Sequence, residues 1–209
     1  MPRIEPFDKY PFRYDEWFIR NKYAYKSELL AIKKQLPKSK NGVEIGVGSG
    51  RFAAPLGIKL GVEPSSKMRM LSKKRMIDLI DAITENLPFR SAIFDFVLMV
   101  TTICFIDDID LTFKEIFKIL RPEGIFIIGF IDRNSTIGEM YEQHKKSSVF
   151  YNVADFYSVE KVVSFLEKAK FKNFNFNQTI FHPLSAINKI EKVKKGYGKG
   201  SFVVIKAKK

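Results

Sequence analysis

Three glycines at alternate positions, Gly46, Gly48 and Gly50, follow a short apolar run, Gly42-Val43-Glu44-Ile45, and constrain this chain more than any other segment. A buried strand that runs into such glycines must turn tightly. Glycine accepts backbone angles that other residues avoid and leaves no Cβ in the way of an approaching ligand. The spacing is G-x-G-x-G, not the G-x-G-x-x-G of dinucleotide sites, where a helix N-terminus meets a pyrophosphate. Glu44, just before the turn, would repel a diphosphate and suits a ligand carrying positive charge. Glu63 closes a second apolar run, Leu60-Gly61-Val62, where a carboxylate can accept hydrogen bonds from both hydroxyls of a ribose. Two acids bracketing a glycine turn on adjacent strands say more together than either alone.

Around this turn the chain alternates strand and helix. Ser65 and Ser66 cap a helix to about Met76, Leu79 to Thr84 reads as a third strand, and Phe94 to Val100 is an almost continuous apolar run, as in a strand covered on both faces. A helix follows from Leu111 to Leu120 and is expected to stop at Arg121-Pro122-Glu123-Gly124; Gly124 to Ile131 is the fifth strand. The pattern predicts an α/β chain with a mostly parallel sheet and right-handed crossovers. Four regions are expected within one domain. Residues 1–40 form an aromatic flap with a helix from about Tyr25 to Leu36, and 42–132 form the ligand-binding core. Residues 133–157 form a lid-like insertion, and 158–209 carry a helix from Ser158 to about Ala169 and an antiparallel strand pair, Phe174–Phe181 and Ser201–Ala207.

Composition narrows the class. At 209 residues, with 45% apolar side chains and 20 Phe, the chain can bury one sizeable core and is not a disordered protein. No apolar run reaches the ~18 residues of a membrane span. Met1 to Glu5 lacks a signal-peptide pattern and Cys104 is the only cysteine, so a reducing cytoplasm is the expected location and no membrane partner is expected. No metal-ligand set is expected. The net charge of +13 invites a nucleic-acid reading, densest at Lys189, Lys192, Lys194, Lys195, Lys199, Lys206, Lys208 and Lys209. Few aromatics interleave with these lysines, so a solvated surface is the favoured reading and a docking patch the alternative.

Glu44-x-Gly46-x-Gly48-x-Gly50 resembles motif I of the class I S-adenosylmethionine-dependent methyltransferases, and Gly61-Val62-Glu63-Pro64-Ser65 resembles their second-strand acidic motif. Thr84-Glu85-Asn86-Leu87-Pro88-Phe89 with Phe94-Asp95-Phe96-Val97 is similar to the "AE-x-LPF … FD-x-V" stretch of the small-molecule, type 11 branch. Leu120-Arg121-Pro122-Glu123-Gly124 resembles its "LKPGG", and Tyr14-Asp15-Glu16-Trp17-Phe18 an N-terminal aromatic signature. The likeness runs in order from about residue 14 to 207. It implies a Rossmann-like, doubly wound sheet of seven strands whose last strand is antiparallel, with S-adenosyl-L-methionine as cofactor. By that resemblance Gly46 and Gly48 pack against its aminocarboxypropyl part, Gly50 completes the cofactor-binding turn, Glu44 helps hold its ammonium and Glu63 binds the ribose. The backbone around Thr84 and Glu85 meets the adenine, and Thr101 lies near the methionine moiety. Where many relatives carry an acidic or small polar residue for the adenine amino group this chain has Ile83, so that contact falls to neighbours or backbone. Tyr14 and Trp17 read equally as packing or as a lid over the cofactor.

The acceptor is less legible. Thr101-Thr102-Ile103-Cys104-Phe105 is not the Asn/Asp-Pro-Pro-aromatic tetrad that grips a flipped nucleobase, and no Pro-Cys pair supplies a nucleophile for pyrimidine carbon-5 methylation. A small-molecule acceptor is therefore favoured over nucleic acid. A noncatalytic cofactor-binding or regulatory protein and an RNA methyltransferase using the basic surface are the alternatives. If the acceptor needs a base, His144, His182 and Tyr151 are the candidates.

Overall fold

A computed structural model describes residues 3–39 and 41–209. Its helices start where capping chemistry places them. Ser65 Oγ accepts from the Met68 amide at 3.2 Å at the head of α5 (Ser66–Lys73), and Asp108 Oδ1 from the Leu111 amide at 2.9 Å at the head of α6 (Ile109–Ile119). Ser135 and Ser158 do the same for α7 (Thr136–Gln143) and α8 (Val159–Lys168). Proline occupies the first turn of both α1 (Glu5–Lys9) and α2 (Pro11–Arg20), where its missing N–H costs nothing. Then come α3 (Lys22–Lys33) and the short α4 (Ala53–Leu56), which ends on Gly57 at φ +76°.

The strands are β1 (Gly42–Ile45), β2 (Leu60–Val62), β3 (Asp78–Ile80), β4 (Phe94–Val100), β5 (Leu120–Ile131), β6 (Lys172–Thr179), β7 (Lys194–Lys195) and β8 (Phe202–Lys208). Among the described residues they form one sheet in the order β3-β2-β1-β4-β5-β8-β6-β7. The first five are parallel, and β8 runs antiparallel between β5 and β6. This is the Rossmann-like arrangement expected, with a two-residue edge strand, β7, added beyond the seven.

Period-two alternation assigns each strand residue to a face. Along β4 from Phe96 onward, Val97 and Met99 join α6 and α8 residues on one side, while Phe96, Leu98 and Val100 meet α3 and α4 on the other. Phe94, before the register shift, lies with Val97 and Met99. Phe113 on α6 and Phe126 on β5 pack edge to face at 5.3 Å, both fully buried. Truncating either to Ala would cost ~3–5 kcal/mol.

Two local expectations are corrected. The third strand ends at Ile80, short of Thr84: Ile83 to Asn86 is a turn closed by the Asn86 amide on the Ile83 carbonyl at 3.3 Å. Arg121 to Gly124 does not merely stop α6. Leu120 already pairs with Phe94, the next pair is Phe96 with Ile125, and the four residues between bulge out of β5. Glu123 at φ +67° makes the bend, and a Cβ on Gly124 would lie 2.8 Å from the Arg121 carbonyl oxygen.

Candidate functional site

At the carboxyl ends of β1, β2 and β4 the glycine turn is fixed by backbone bonds to the neighbouring strand. The amides of Gly46 and Val47 both donate to the Val62 carbonyl, at 2.8 and 3.0 Å, and the Gly50 amide donates to Val47 at 2.9 Å. Gly46, Gly48 and Gly50 all have positive φ, at +70°, +54° and +81°. Their surroundings differ. A Cβ at Gly46 would strike Thr102 at 2.3 Å and one at Gly50 would strike Ser72 at 2.6 Å, whereas at Gly48 the nearest atom is the Tyr14 hydroxyl, 3.7 Å away. The first and third glycines permit close packing; the middle one bares backbone to a cleft.

Two carboxyls flank the turn in different ways. Glu63, 7% exposed, accepts the Gly48 amide at 2.8 Å through Oε2 and the Ser65 amide at 2.9 Å through Oε1. Burial pushes its pKa up to about 7, against the pull of those amides and of Arg69. Glu44 lies beneath the turn and lines neither cavity described below. Its Oε2 has no hydrogen-bond partner among the described residues, and burial raises its pKa well above the carboxylate range despite the Ala53 amide.

The cleft in front of the turn holds about 80 Å³. Gly46, Gly48 and Glu63 line it on one side and Ile83, Thr84, Glu85, Thr101 and Thr102 on the other, with Ile4, Phe7 and Tyr14 as its cover. Gly50 stands outside. Thr101 has φ +50°, a conformation costly for a β-branched residue, held by its amide on the Gly129 carbonyl at 2.8 Å. Thr84 Oγ1 bonds Thr112 Oγ1 at 2.8 Å, and Glu85 Oε1 accepts the Asp107 amide at 3.1 Å, so both side chains tie the 81–93 connection to the head of α6.

Ion pairs secure the cover. Asp15 on α2 takes Arg51 at 2.5 Å, Arg75 at 2.9 Å and the Ser49 hydroxyl at 2.8 Å, which joins α2 to the glycine turn and to the end of α5. Those partners hold its pKa below the usual range despite burial. Asp8 on α1 accepts from Ser65 Oγ at 2.7 Å, and Arg3 bridges Asp107 at 3.1 Å and Asp155 at 2.6 Å.

Behind the cover is a larger chamber of about 500 Å³. Phe7, Tyr14, Trp17 and Phe18 line it from the leading segment, Phe52 and Phe105 from the ends of turns, and Tyr141, Phe150 and Tyr151 from the 133–157 stretch. It shares Phe7, Tyr14, Thr101 and Phe105 with the cleft. Of the sequence-derived base candidates, Tyr151 and His144 line the chamber; His144 is exposed at the rim with Nδ1 2.9 Å from the Met140 carbonyl oxygen. His182 lines neither cavity and pairs with Glu191 at 2.5 Å. Sequence reasoning missed Glu28, a carboxyl 4% exposed on α3 that lines the chamber. A signal existed: Ala24, Ser27, Glu28 and Ala31 fall at the spacing of one buried helix face.

Comparison with other proteins follows the same outline. Residues 43–128 match a family described as a methyltransferase domain. An uncharacterised protein of Methanocaldococcus jannaschii is 45% identical over 97% of this chain and 98% of its own length. The crystal structure of a Thermotoga maritima SAM-dependent methyltransferase, described as a possible histamine N-methyltransferase, is 47% identical with a TM-score of 0.97, covering 99% of each chain. A SAM-dependent methyltransferase from Archaeoglobus fulgidus has a TM-score of 0.70 at 15% identity, over 96% of this chain and 100% of its own, a likeness of fold alone.

Proposed function

This chain belongs to the S-adenosylmethionine-dependent methyltransferases, and from that premise we propose that it methylates a small-molecule acceptor held in the aromatic chamber. The observation that carries the proposal is the shared wall: Phe7, Tyr14, Thr101 and Phe105 face both the cleft at the glycine turn and the 500 Å³ chamber. An acceptor in the chamber is thereby next to the donor site and shielded from water. The cofactor, when bound, supplies a methyl group already activated on a sulfonium.

The donor set fits that ligand. The open space at Gly48 admits the aminocarboxypropyl chain against bare backbone, and Glu63 retains free lone pairs for the ribose hydroxyls. Gly46 and Gly50 hold the turn's shape, and Glu44 is buried beneath it, where desolvation favours its neutral form. Ile83 gives the adenine an apolar face, with the backbone of Thr84 and Glu85 beside it, and Thr101 borders the methionine end. At about 80 Å³ the cleft is narrower than the ~300 Å³ at which small-molecule pockets begin, so Phe7 and Tyr14 swing aside as the donor enters. In the closed state Tyr14 offers a ring face to positive charge, an attraction of ~1 kcal/mol. The protein's contribution to rate is alignment and a dry pocket.

A small acceptor suits the chamber, which is roofed by α2 and α7 and lined by aromatic rings. The lysines from Lys189 to Lys209 line neither cavity, so the proposed acceptor site does not draw on the basic surface. The Thermotoga relative's suggested acceptor is likewise a small molecule. The test is turnover of methyl-labelled S-adenosylmethionine against a metabolite pool and an RNA pool. Label in small molecules is expected; label confined to RNA overturns the proposal.

A further inference from the structure

Glu28 is the carboxyl that lines the chamber among the described residues. It sits on the inner face of α3, 4% exposed, and no hydrogen bond or ion pair engages its carboxyl among the described residues. Burial alone pushes its pKa up to about 8. The contrast with Glu63, whose two oxygens each take a backbone amide, is direct. Resting on the reading of the chamber as the acceptor site, we propose that Glu28 binds a cationic nitrogen of the acceptor, so that the substrate class is an amine carried in as its ammonium ion.

Two further features point the same way. Nine aromatic rings line the cavity, and ring faces attract cations while they offer nothing to anions. A carboxylate inside such a cavity is also unstable until a counter-charge arrives, because the surrounding rings do not solvate it. A neutral acceptor leaves Glu28 protonated and idle, and an anionic one is repelled. The chamber's own cations do not fill the role: Arg13 and Arg20 on α2 are exposed at the rim, form no ion pair with Glu28 and are screened by solvent. The other titratable groups around Glu28 are Tyr25 on its own helix, Tyr141 on α7, Tyr151 and Tyr14, all with pKa raised by burial, and His144 at the rim. The tyrosines carry no positive charge, and His144 stands exposed outside the cavity interior.

The experiment is calorimetry on the full chain saturated with S-adenosylhomocysteine. The probes are 2-phenylethylamine, benzamidine, imidazole and tetramethylammonium, each against a neutral or anionic counterpart such as 2-phenylethanol or phenylacetate. At least one cation is expected to bind 10-fold or more tighter than its counterpart, and Glu28→Gln to abolish that preference while S-adenosylhomocysteine affinity stays within about 2-fold. Because Glu28 is mostly protonated at pH 7 before the cation arrives, binding releases about one proton to the buffer, read as a dependence of the heat on buffer ionisation enthalpy. Glu28→Gln releases none. The proposal falls if no cation binds, if neutral counterparts bind as tightly, or if Glu28→Gln keeps the preference or the proton release. Loss of S-adenosylhomocysteine binding by the wild type would instead strike the methyltransferase reading, so the two failures are distinguishable.

Discussion

The cleft and the chamber share a wall but are built on opposite plans. The cleft is narrow, borders the glycine turn, and its carboxyl at Glu63 is already committed to the Gly48 and Ser65 amides. The chamber is about 500 Å³ against about 80 Å³, walled by rings, and its carboxyl at Glu28 is committed to nothing. One region therefore holds its shape before any ligand arrives; the other keeps an interaction in reserve. A site for a fixed donor benefits from pre-organisation. A site that selects a recipient draws its discrimination from a polar group that is poor company for the wrong one.

That comparison can be broken or sharpened in four ways. The largest effect is expected from Gly48→Val, which forces a β-branched residue to φ +54° and fills the open face of the turn. S-adenosylhomocysteine affinity should fall by about 1,000-fold or more in calorimetry, about 4 kcal/mol, and near-normal affinity would remove the turn as donor site. Next is Glu28→Gln in the absence of ligand. A carboxyl whose folded pKa lies near 8 rather than near 4.5 binds its proton more tightly in the folded state. It therefore costs nothing below pH 4.5 and destabilises progressively as pH rises to 8. The variant should be more stable than wild type at pH 7 by about 3 kcal/mol and equal to it at pH 4, as read from urea unfolding. A destabilised variant would mean that Glu28 has a structural partner. Third, Glu63→Ala should weaken S-adenosylhomocysteine binding about 30-fold, near 2 kcal/mol. In the wild type binding should weaken as pH falls through about 7, because the protonated acid accepts fewer hydroxyl bonds. A flat profile from pH 6 to 8 would take the ribose role from Glu63. The smallest effect is Trp17→Phe, expected to raise the acceptor KM about 3-fold, below 1 kcal/mol, while leaving donor affinity alone.

The two regions were also unequally legible before the structure. The cleft could be read because its parts are consecutive: a strand, a glycine turn, a strand and an acid lie within Gly42–Glu63, and each carries local backbone chemistry. Ser65 and Ser158 stand in the same relation to their helices. The chamber gathers side chains from Phe7 to Leu184, and nothing in their local spacing says that they converge. Glu28 passed unnoticed because a glutamate in a lysine-rich helix looks solvated until its neighbours at helical spacing are seen to be Ala24, Ala31 and Ile32. The bulge at Arg121–Gly124 was hidden for another reason: Pro and Gly mark a break in any regular element, and only strand register tells a stop from a detour.

Arg3, Asp8 and Asp15 rivet α1, α2 and the residue leading into them to the body at separate points, one of them the glycine turn itself, and α3 follows α2 directly. Those helices carry Phe7, Tyr14, Trp17, Phe18 and Glu28, whereas the donor's seat belongs to the strands behind them. On the reading proposed above, much of recipient choice is written in a contiguous faceplate, one that would also have to keep its seal over the glycine turn if it were exchanged.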